Sequence, residues 1–360
     1  MQSTNIRIKD IAKMAGVSEG TVDRVLHKRG NVSPAAAEKV NRVLAKIKYN
    51  PNLIARSLGK RKQYRITTLI PDPATDPFWQ QSHEGIVEAL EQLHQFGMSI
   101  SVENFYFDIT NHDSFAEQAL KNLTSKPDAV LIAPLFYRAS ISLFKKLNIK
   151  HIPFVLFNTQ ISEAHSLTFI GQDLFMSGRL AGQLASMSKH AGKTMIVLHI
   201  DENLHNAIHL KEKESGFRDF LQKESSTTAV VSSTLSSHNP NKLKEDMGTL
   251  ISKHNPAAVF ISTSKGYKVA GIIKKLNPKI KVIGYDLISA NIECLKKGTI
   301  DFIINQNPTR QARLGIQILA NHLLFNRSFQ TQYLFPLEVI TAENVASYLM
   351  HAAYASDITI

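Results

Sequence analysis

The chain has 360 residues, 43% hydrophobic and 20% charged, the balance of a globular protein rather than a disordered one, and enough for two or three compact units. No apolar run approaches the 18 or so residues of a membrane span, the opening MQSTNIRIKDIAK has no apolar signal core, and the single cysteine, Cys294, cannot form an internal disulfide. The net charge of +12 is segregated, because residues 1–65 hold 15 Lys and Arg against 4 Asp and Glu. A basic head on a near-neutral body points to a polyanion partner for the head. The reduced cysteine and missing signal fit a cytoplasmic protein.

The head opens with IKDIAKMAGVSEGTVDRVL. Ile11, Ala15, Val17, Val22 and Val25 can supply the apolar contacts of two crossing helices, with the small Ala12 at their closest approach. Gly16 falls at the turn, where a positive φ is needed. Ser18 is a good N-cap for the second helix. These are the constrained positions of a helix-turn-helix. The stretch NVSPAAAEKVNRVLAKIKY predicts a third helix, capped by Ser33, opened by Pro34, and buried along Val40, Val43, Leu44 and Ile47. Pro51 ends it. NLIARSL then has length for only about two turns, marginal in water unless something holds it. GKRKQYR reads as a linker.

The run from IKDIAKMAGVSEGTVDRVL through NPNLIARSLG resembles the LacI/GalR family of bacterial transcription regulators over some fifty positions. The resemblance implies that the second helix, about residues 18–27, enters the major groove. It also implies a hinge helix over 52–58 that folds on the operator, with Leu58 as an apolar wedge in the minor groove and Ala55 beside it. Arg24 matches the family and is the candidate for a bidentate guanine contact. Glu19 and Gly20 stand where relatives choose bases, and Asp23 replaces a common serine. Glu19 can accept from a cytosine amino group or favour the helix dipole. Ser18, Thr21, Lys28, Arg29 and Asn31 are the expected phosphate and capping contacts.

Beyond residue 65 the pattern becomes short β-rich runs separated by amphipathic helices. RITTLIPDP, SISVENFYF, DAVLIAPL and IPFVLFN form one set; KTMIVLHI, TAVVSSTL, AAVFISTS and KVIGYDL form a second. This alternation predicts parallel sheets covered by helices on both faces, in two α/β lobes. Ligand is expected where strand C-termini face a shared cleft. Neither a dinucleotide-type glycine fingerprint nor a P-loop is present, which disfavours common nucleotide enzymes. The body looks like the type I periplasmic-binding-protein fold that the family carries behind its head. The expected architecture is thus α/β: an all-α helix-turn-helix head (1–50), a hinge helix and linker (51–65), and a two-lobed Rossmann-like effector domain (66–350). The first lobe is placed at about 66–168 plus 301–326, and the second at about 169–300 plus 327–350.

A sugar offers alternating hydrogen-bond donors and acceptors and two weakly apolar faces, so its site needs aromatics, carboxylates and amides. Phe78 and Trp79 follow the first strand. The resemblance implies that Asp286 binds a hydroxyl as a carboxylate and Gln306 as an amide. Asn158, with Thr159 behind it, stands where relatives have aspartate and arginine, Lys213 replaces an arginine, and Thr263 an asparagine. Arg138 is a further candidate after the third strand.

His199, His205 and His209 lack a metalloprotease signature and read as surface or rim residues. No Ser/His/Asp arrangement is placed by fold position. The function expected is a DNA-binding regulator, commonly a repressor, working as a homodimer on a pseudo-palindromic operator under a small carbohydrate-like effector. No enzyme activity, cofactor, metal or membrane partner is expected. A transport-type sugar-binding protein and a sugar-acting α/β enzyme are the alternatives.

Overall fold

The computed structural model describes residues 7–26, 30–47, 63–188, 194–202, 207–224 and 227–355. The chain divides after Lys60 into two compact units. In the head, α1 (Ile8–Ala15), α2 (Glu19–Leu26) and α3 (Pro34–Lys46) each send a fully buried side chain to one small core: Ile11, Val22 and Val40. Ala12 and Ala15 complete it, with Ile8, Val17, Val25, Val43, Leu44 and Ile47 partly buried around it. Gly16 ends α1 at φ 63°, in the left-handed region that side chains avoid. The Ser18 hydroxyl accepts from the Thr21 N–H at 3.1 Å and so caps α2. Ser33 does the same for α3 through Ala36 N–H.

The body opens with β1 (Tyr64–Pro71), α4 (Pro77–Gln95), β2 (Ile100–Phe107), α5 (His112–Thr124), β3 (Ala129–Ile132), α6 (Tyr137–Ile149), β4 (Phe154–Phe157) and β5 (Thr168–Gly171). The chain then crosses to α7 (Leu174–Ser186), β6 (Met195–Ile200), α8 (Ile208–Glu224), β7 (Val230–Leu235), α9 (Pro240–His254), β8 (Ala258–Ile261), α10 (Ala270–Leu276), β9 (Lys281–Tyr285), α11 (Ser289–Lys296) and β10 (Phe302–Asn305). Helix α12 (Pro308–Phe325), β11 (Gln332–Leu334), β12 (Glu338–Ile340) and α13 (Val345–Ala355) follow.

The strands form two six-stranded sheets, in the orders β11-β5-β4-β3-β1-β2 and β12-β10-β9-β8-β6-β7. Every pairing is parallel except β10 with β12. In each sheet the first strand of the lobe lies between the second and third, so neighbouring crossovers leave in opposite directions and open a crevice at the strand C-termini. Strand β6 divides the second-lobe core by its alternation. Ile196, Leu198 and Ile200 join the apolar cluster on one face of the sheet, Met195 and Val197 the cluster on the other.

The lobe boundaries differ from expectation. Residues 302–305, placed in the first lobe, pair with β9 in the second sheet. Residues 168–171 as a whole, and 332–334, belong to the first sheet. Three short crossovers therefore join the lobes, at 172–173, 306–307 and 335–337. The physical reason is packing, because α12 buries Ala312, Ile316 and Leu319 in the first-lobe core while the strand before it completes the second sheet. Among the described residues no helix is long and apolar enough to cross a membrane.

Candidate functional site

The C-terminal ends of both sheets converge on one cavity of about 30 Å³, roughly the room of a single water molecule. The lobes thus stand close together across it. The first lobe contributes Asp76, Phe78, Trp79, Ile109, Leu135 and Asn158; the second contributes Glu202, His209, Leu210, Lys213, Ser262, Thr263, Ser264, Asp286 and Gln306. Of the eight effector-site residues read from the sequence, seven are in this lining.

The exception is Arg138. Helix α6 begins at Tyr137, and its first turn leaves Arg138 exposed in a groove with His112, Leu120 and Leu143, outside the cleft. The expectation rested on position after β3, but Leu135 is the residue that the strand end delivers to the cavity.

Phe78 and Trp79 occupy the first turn of α4, which Asp76 caps by accepting from the Phe78 N–H at 2.9 Å. The two rings meet edge to face at 4.9 Å, and Trp79 stands 6.0 Å from Phe157. Both are almost fully buried, so they are at once core and cleft wall. Asn158 and Asp286 hold equivalent places in the two lobes. Each follows the fourth strand of its sheet, each has a left-handed backbone (φ 67° and 68°), and each donates its N–H to the adjoining strand, at Ile170 and Ile304. Strain of this sort collects where a side chain must be aimed against the strand direction.

Asp286 is wholly buried. Gln306 holds it twice, with its N–H on Oδ1 at 3.1 Å and its Nε2 on Oδ2 at 2.9 Å. Burial pushes the Asp286 carboxyl up to about 6, although Lys213 and the Gln306 bonds pull it back. Lys213 Nζ donates to the Ser262 carbonyl at 3.2 Å and lies 3.8 Å from the Tyr285 ring centre. Burial lowers its ammonium to about 8, against the opposing pull of Asp286 and Glu202. Lys213 reaches the cleft because α7 and α8 touch backbone to backbone. A Cβ on Gly178 would lie 1.9 Å from the Lys213 carbonyl oxygen, and one on Gly216 1.9 Å from that of Phe175.

Thr263 is 4% exposed, and its hydroxyl has no hydrogen-bond partner. Such a group is costly unless something else meets it. Across the cleft mouth Lys265 Nζ stands 3.7 Å from Asp76 Oδ2 and 3.9 Å from Asp201 Oδ2, and Gln81 Nε2 donates to the Leu287 carbonyl at 3.0 Å. Burial raises the Asp76 carboxyl, with Lys265 offsetting part of the rise.

Asp76 and Glu202 are cleft residues that the sequence reading missed. His209, read as a surface or cleft-rim histidine, lines the cavity. The signal was present, since His209 lies four residues before Lys213 and so on the same face of α8. His199, also taken for a surface residue, is fully buried. Its Nδ1 lies 2.6 Å from Ser262 Oγ and its Nε2 3.0 Å from Glu214 Oε2. This is a serine–histidine–carboxylate arrangement of the kind that fold position was not expected to assemble. It works as a brace. Serine and histidine are both fully buried, and Ser262 gives its carbonyl to Lys213. Burial opposes ionisation of Glu214, yet the bonds from His199, Ser232 and Arg218 hold its carboxyl at about 2. His205 lies outside the described residues, among which no metal-holding group of three or more His, Cys, Asp or Glu is found.

In the head Ser18, Glu19 and Gly20 are exposed at the start of α2 and Arg24 is exposed in its last turn, with Thr21 half-buried and its hydroxyl 2.9 Å from that of Ser18. Asn31 takes φ 65° in the turn before α3. Lys28, Arg29, Ala55, Leu58 and the hinge stretch 52–58 lie outside the described residues.

The comparisons with known proteins divide the chain in the same way. The family described as "Bacterial regulatory proteins, lacI family" matches residues 7–52, and "Periplasmic binding protein domain" matches residues 67–327. The sucrose operon repressors of Shigella flexneri and Escherichia coli are 31% identical over 133 residues, 36% of this chain and 38% of theirs. That stretch spans little more than a third of those repressors. The ribose operon repressor of Lactococcus lactis is 26% identical over 292 residues, 78% of this chain and 80% of its own. Among solved structures, a protein described as a LacI transcriptional regulator of Bacteroides fragilis superposes with a TM-score of 0.74 at 24% identity, over 80% of this chain and all of that one.

Proposed function

The chain belongs to the periplasmic binding protein domain family over its body and carries a lacI-family DNA-binding domain at its head, and on that premise we propose a transcriptional repressor governed by a small carbohydrate-like effector. The observation that carries this reading is the buried constellation of the cleft. A carboxylate fixed by an amide, an ammonium, an unpartnered hydroxyl and a pair of aromatic rings stand together, which is what a ring of hydroxyls with apolar faces requires. The naming of relatives as sucrose and ribose operon repressors supports a sugar over other small molecules.

In this reading the protein works as a homodimer in the cytoplasm, on a pseudo-palindromic operator. Arg24 reads a guanine edge, while Ser18, Thr21, Asn31 and the flanking Lys28 set the register on phosphates. Glu19 accepts from a cytosine. Ala55 and Leu58 engage the minor groove. Effector between the lobes changes their separation, and the marginal hinge segment converts that change into lost operator affinity. No catalytic step is assigned, which accords with relatives named as repressors.

A thermal-shift screen of the full chain against neutral sugars, polyols, sugar acids and sugar phosphates tests the cleft. A compound that raises the wild-type midpoint and fails with both Asp286→Ala and Trp79→Ala supports the reading. Stabilisation that survives both substitutions contradicts it.

A further inference from the structure

A second concavity lies outside the cleft, beside the lobe connections. Helix α12 faces strand β11 and the turn after it across a groove of about 490 Å³, within the range of small-molecule sites. The spacing of α12 puts Arg310, Arg313 and Leu314 on one face, and they form one wall. Gln332, Tyr333 and Phe335 form the other. Among the described residues that line the groove, the charged ones are the two arginines and none is acidic. The guanidinium carbon of Arg310 stands 5.2 Å from the centre of the Phe335 ring, a contact that orders an otherwise exposed cation. No carboxylate of the described residues pairs with it. Arg313 is partly offset by Glu88 on α4 at 3.4 Å. That carboxylate is 41% exposed, and a pair so placed contributes little and can yield. Both walls are tied to the connections. The Phe335 N–H donates to the Gly171 carbonyl at 2.7 Å, and Arg310 adjoins Gln311, which holds the Gln306 carbonyl.

We propose that this groove is a second effector site, which takes a small organic phosphate. Arg310 and Arg313 hold the phosphate, because a guanidinium fork matches two phosphate oxygens at once. The body of the ligand lies along Tyr333 and Phe335, with its polar groups on Gln332. A sugar and a nucleoside both offer such a body, and the phosphate monoester is the chemistry that they share. A ligand so placed bridges α12 and the third connection, and thereby acts on the separation of the lobes. The site stands whether or not the cleft takes a sugar.

The test is calorimetric titration of the full chain with ribose 5-phosphate, adenosine monophosphate, ribose, adenosine and inorganic phosphate. Salt is held fixed, since the basic head attracts any anion. At least one ester should bind the wild type about tenfold or more tighter than its parent and than inorganic phosphate. The tighter ester assigns the body as sugar or nucleoside. Arg310→Gln should lose about tenfold or more, and Arg310→Lys, which keeps the charge without the fork, should lose less. Glu88→Gln should bind at least as tightly as the wild type, and Asp286→Ala in the cleft should bind equally. Trp79 is the only tryptophan and lines the cleft, so ribose 5-phosphate should change its emission in the wild type and not in Arg310→Gln. The thermal screen of the cleft is run in Arg310→Gln as well, so that an ester held at the groove is not counted against the cleft. The site is overturned if no ester binds, if binding survives Arg310→Gln or is lost in Asp286→Ala, or if inorganic phosphate binds as tightly as the esters. A glutamate-rich peptide that binds through Arg310 where the esters do not would overturn it in favour of a protein partner. Binding with Trp79 emission unchanged would overturn the effector role.

Discussion

Asp286 is the residue on which the cleft turns. Its carboxyl sits near 6 because burial disfavours the charge more than Lys213 and Gln306 restore it. A carboxyl raised in the folded state keeps its proton between about pH 4 and 6, where the unfolded chain has released it. The contribution of this group to folding stability therefore falls as pH rises through that window and is level above it. Its use to an effector runs the other way, since only the carboxylate accepts from hydroxyls with charge assistance. Effector affinity is expected to rise as pH passes about 6. Asp286→Asn is expected to weaken binding about ten- to a hundredfold and to remove that rise, as read by titration at pH 5 and pH 8. An affinity flat in pH in the wild type would count against the assignment. Asp286 was legible in the sequence because it ends a strand, which in a parallel sheet faces the crevice, and because the family resemblance implies a hydroxyl-binding carboxylate there. Asp76 and Glu202 were not, for a helix cap and a loop carboxylate look alike whether or not a cleft lies beside them. Arg138 lies three residues past Leu135, and the start of α6 between them moves its side chain from crevice to surface.

Among elements, the three lobe crossovers meet at one side chain. Gln172, 3% exposed, donates Nε2 to the carbonyls of Asn305 at 2.9 Å and Pro336 at 2.7 Å, the first on the strand end that leads into the second connection and the other within the third. Gln311 ties the same region to the cleft, accepting from the Asn158 N–H and donating to the Gln306 carbonyl. Hinge and site thus share their hydrogen bonds. Gln172→Ala leaves the buried Asn305 carbonyl and the Pro336 carbonyl without that donor and is expected to cost about 1 kcal/mol of stability, measured by denaturant unfolding of the full chain. An unchanged midpoint and slope would show that the carbonyls find other partners. Strands with strong apolar runs were read correctly from the sequence, and the third helix of the head was placed by its cap and proline. The strands at 302–305 and 332–334 fell to the wrong lobe. Short strands that leave one sheet and enter another carry no local mark of their destination, which is set by the packing of α12 on the first-lobe core.

For the molecule as a whole, charge and burial separate two tasks. The head concentrates the positive charge and exposes Arg24 and Glu19 on α2. The body buries a few of its charges, Asp76, Lys213 and Asp286, around a cleft and has lobe connections tied by shared hydrogen bonds. Their coupling is the central claim, and one measurement tests it most directly. A duplex enriched from a random pool by the full chain is titrated by fluorescence anisotropy, with and without a ligand found in the thermal screen, at fixed salt. The coupling expected of such a device is a change in operator affinity of about 5- to 150-fold for the wild type. Asp286→Ala should bind the same duplex with wild-type affinity and show no response. If ligand occupies the cleft while operator affinity stays the same, or if Asp286→Ala still responds, the cleft does not govern the head.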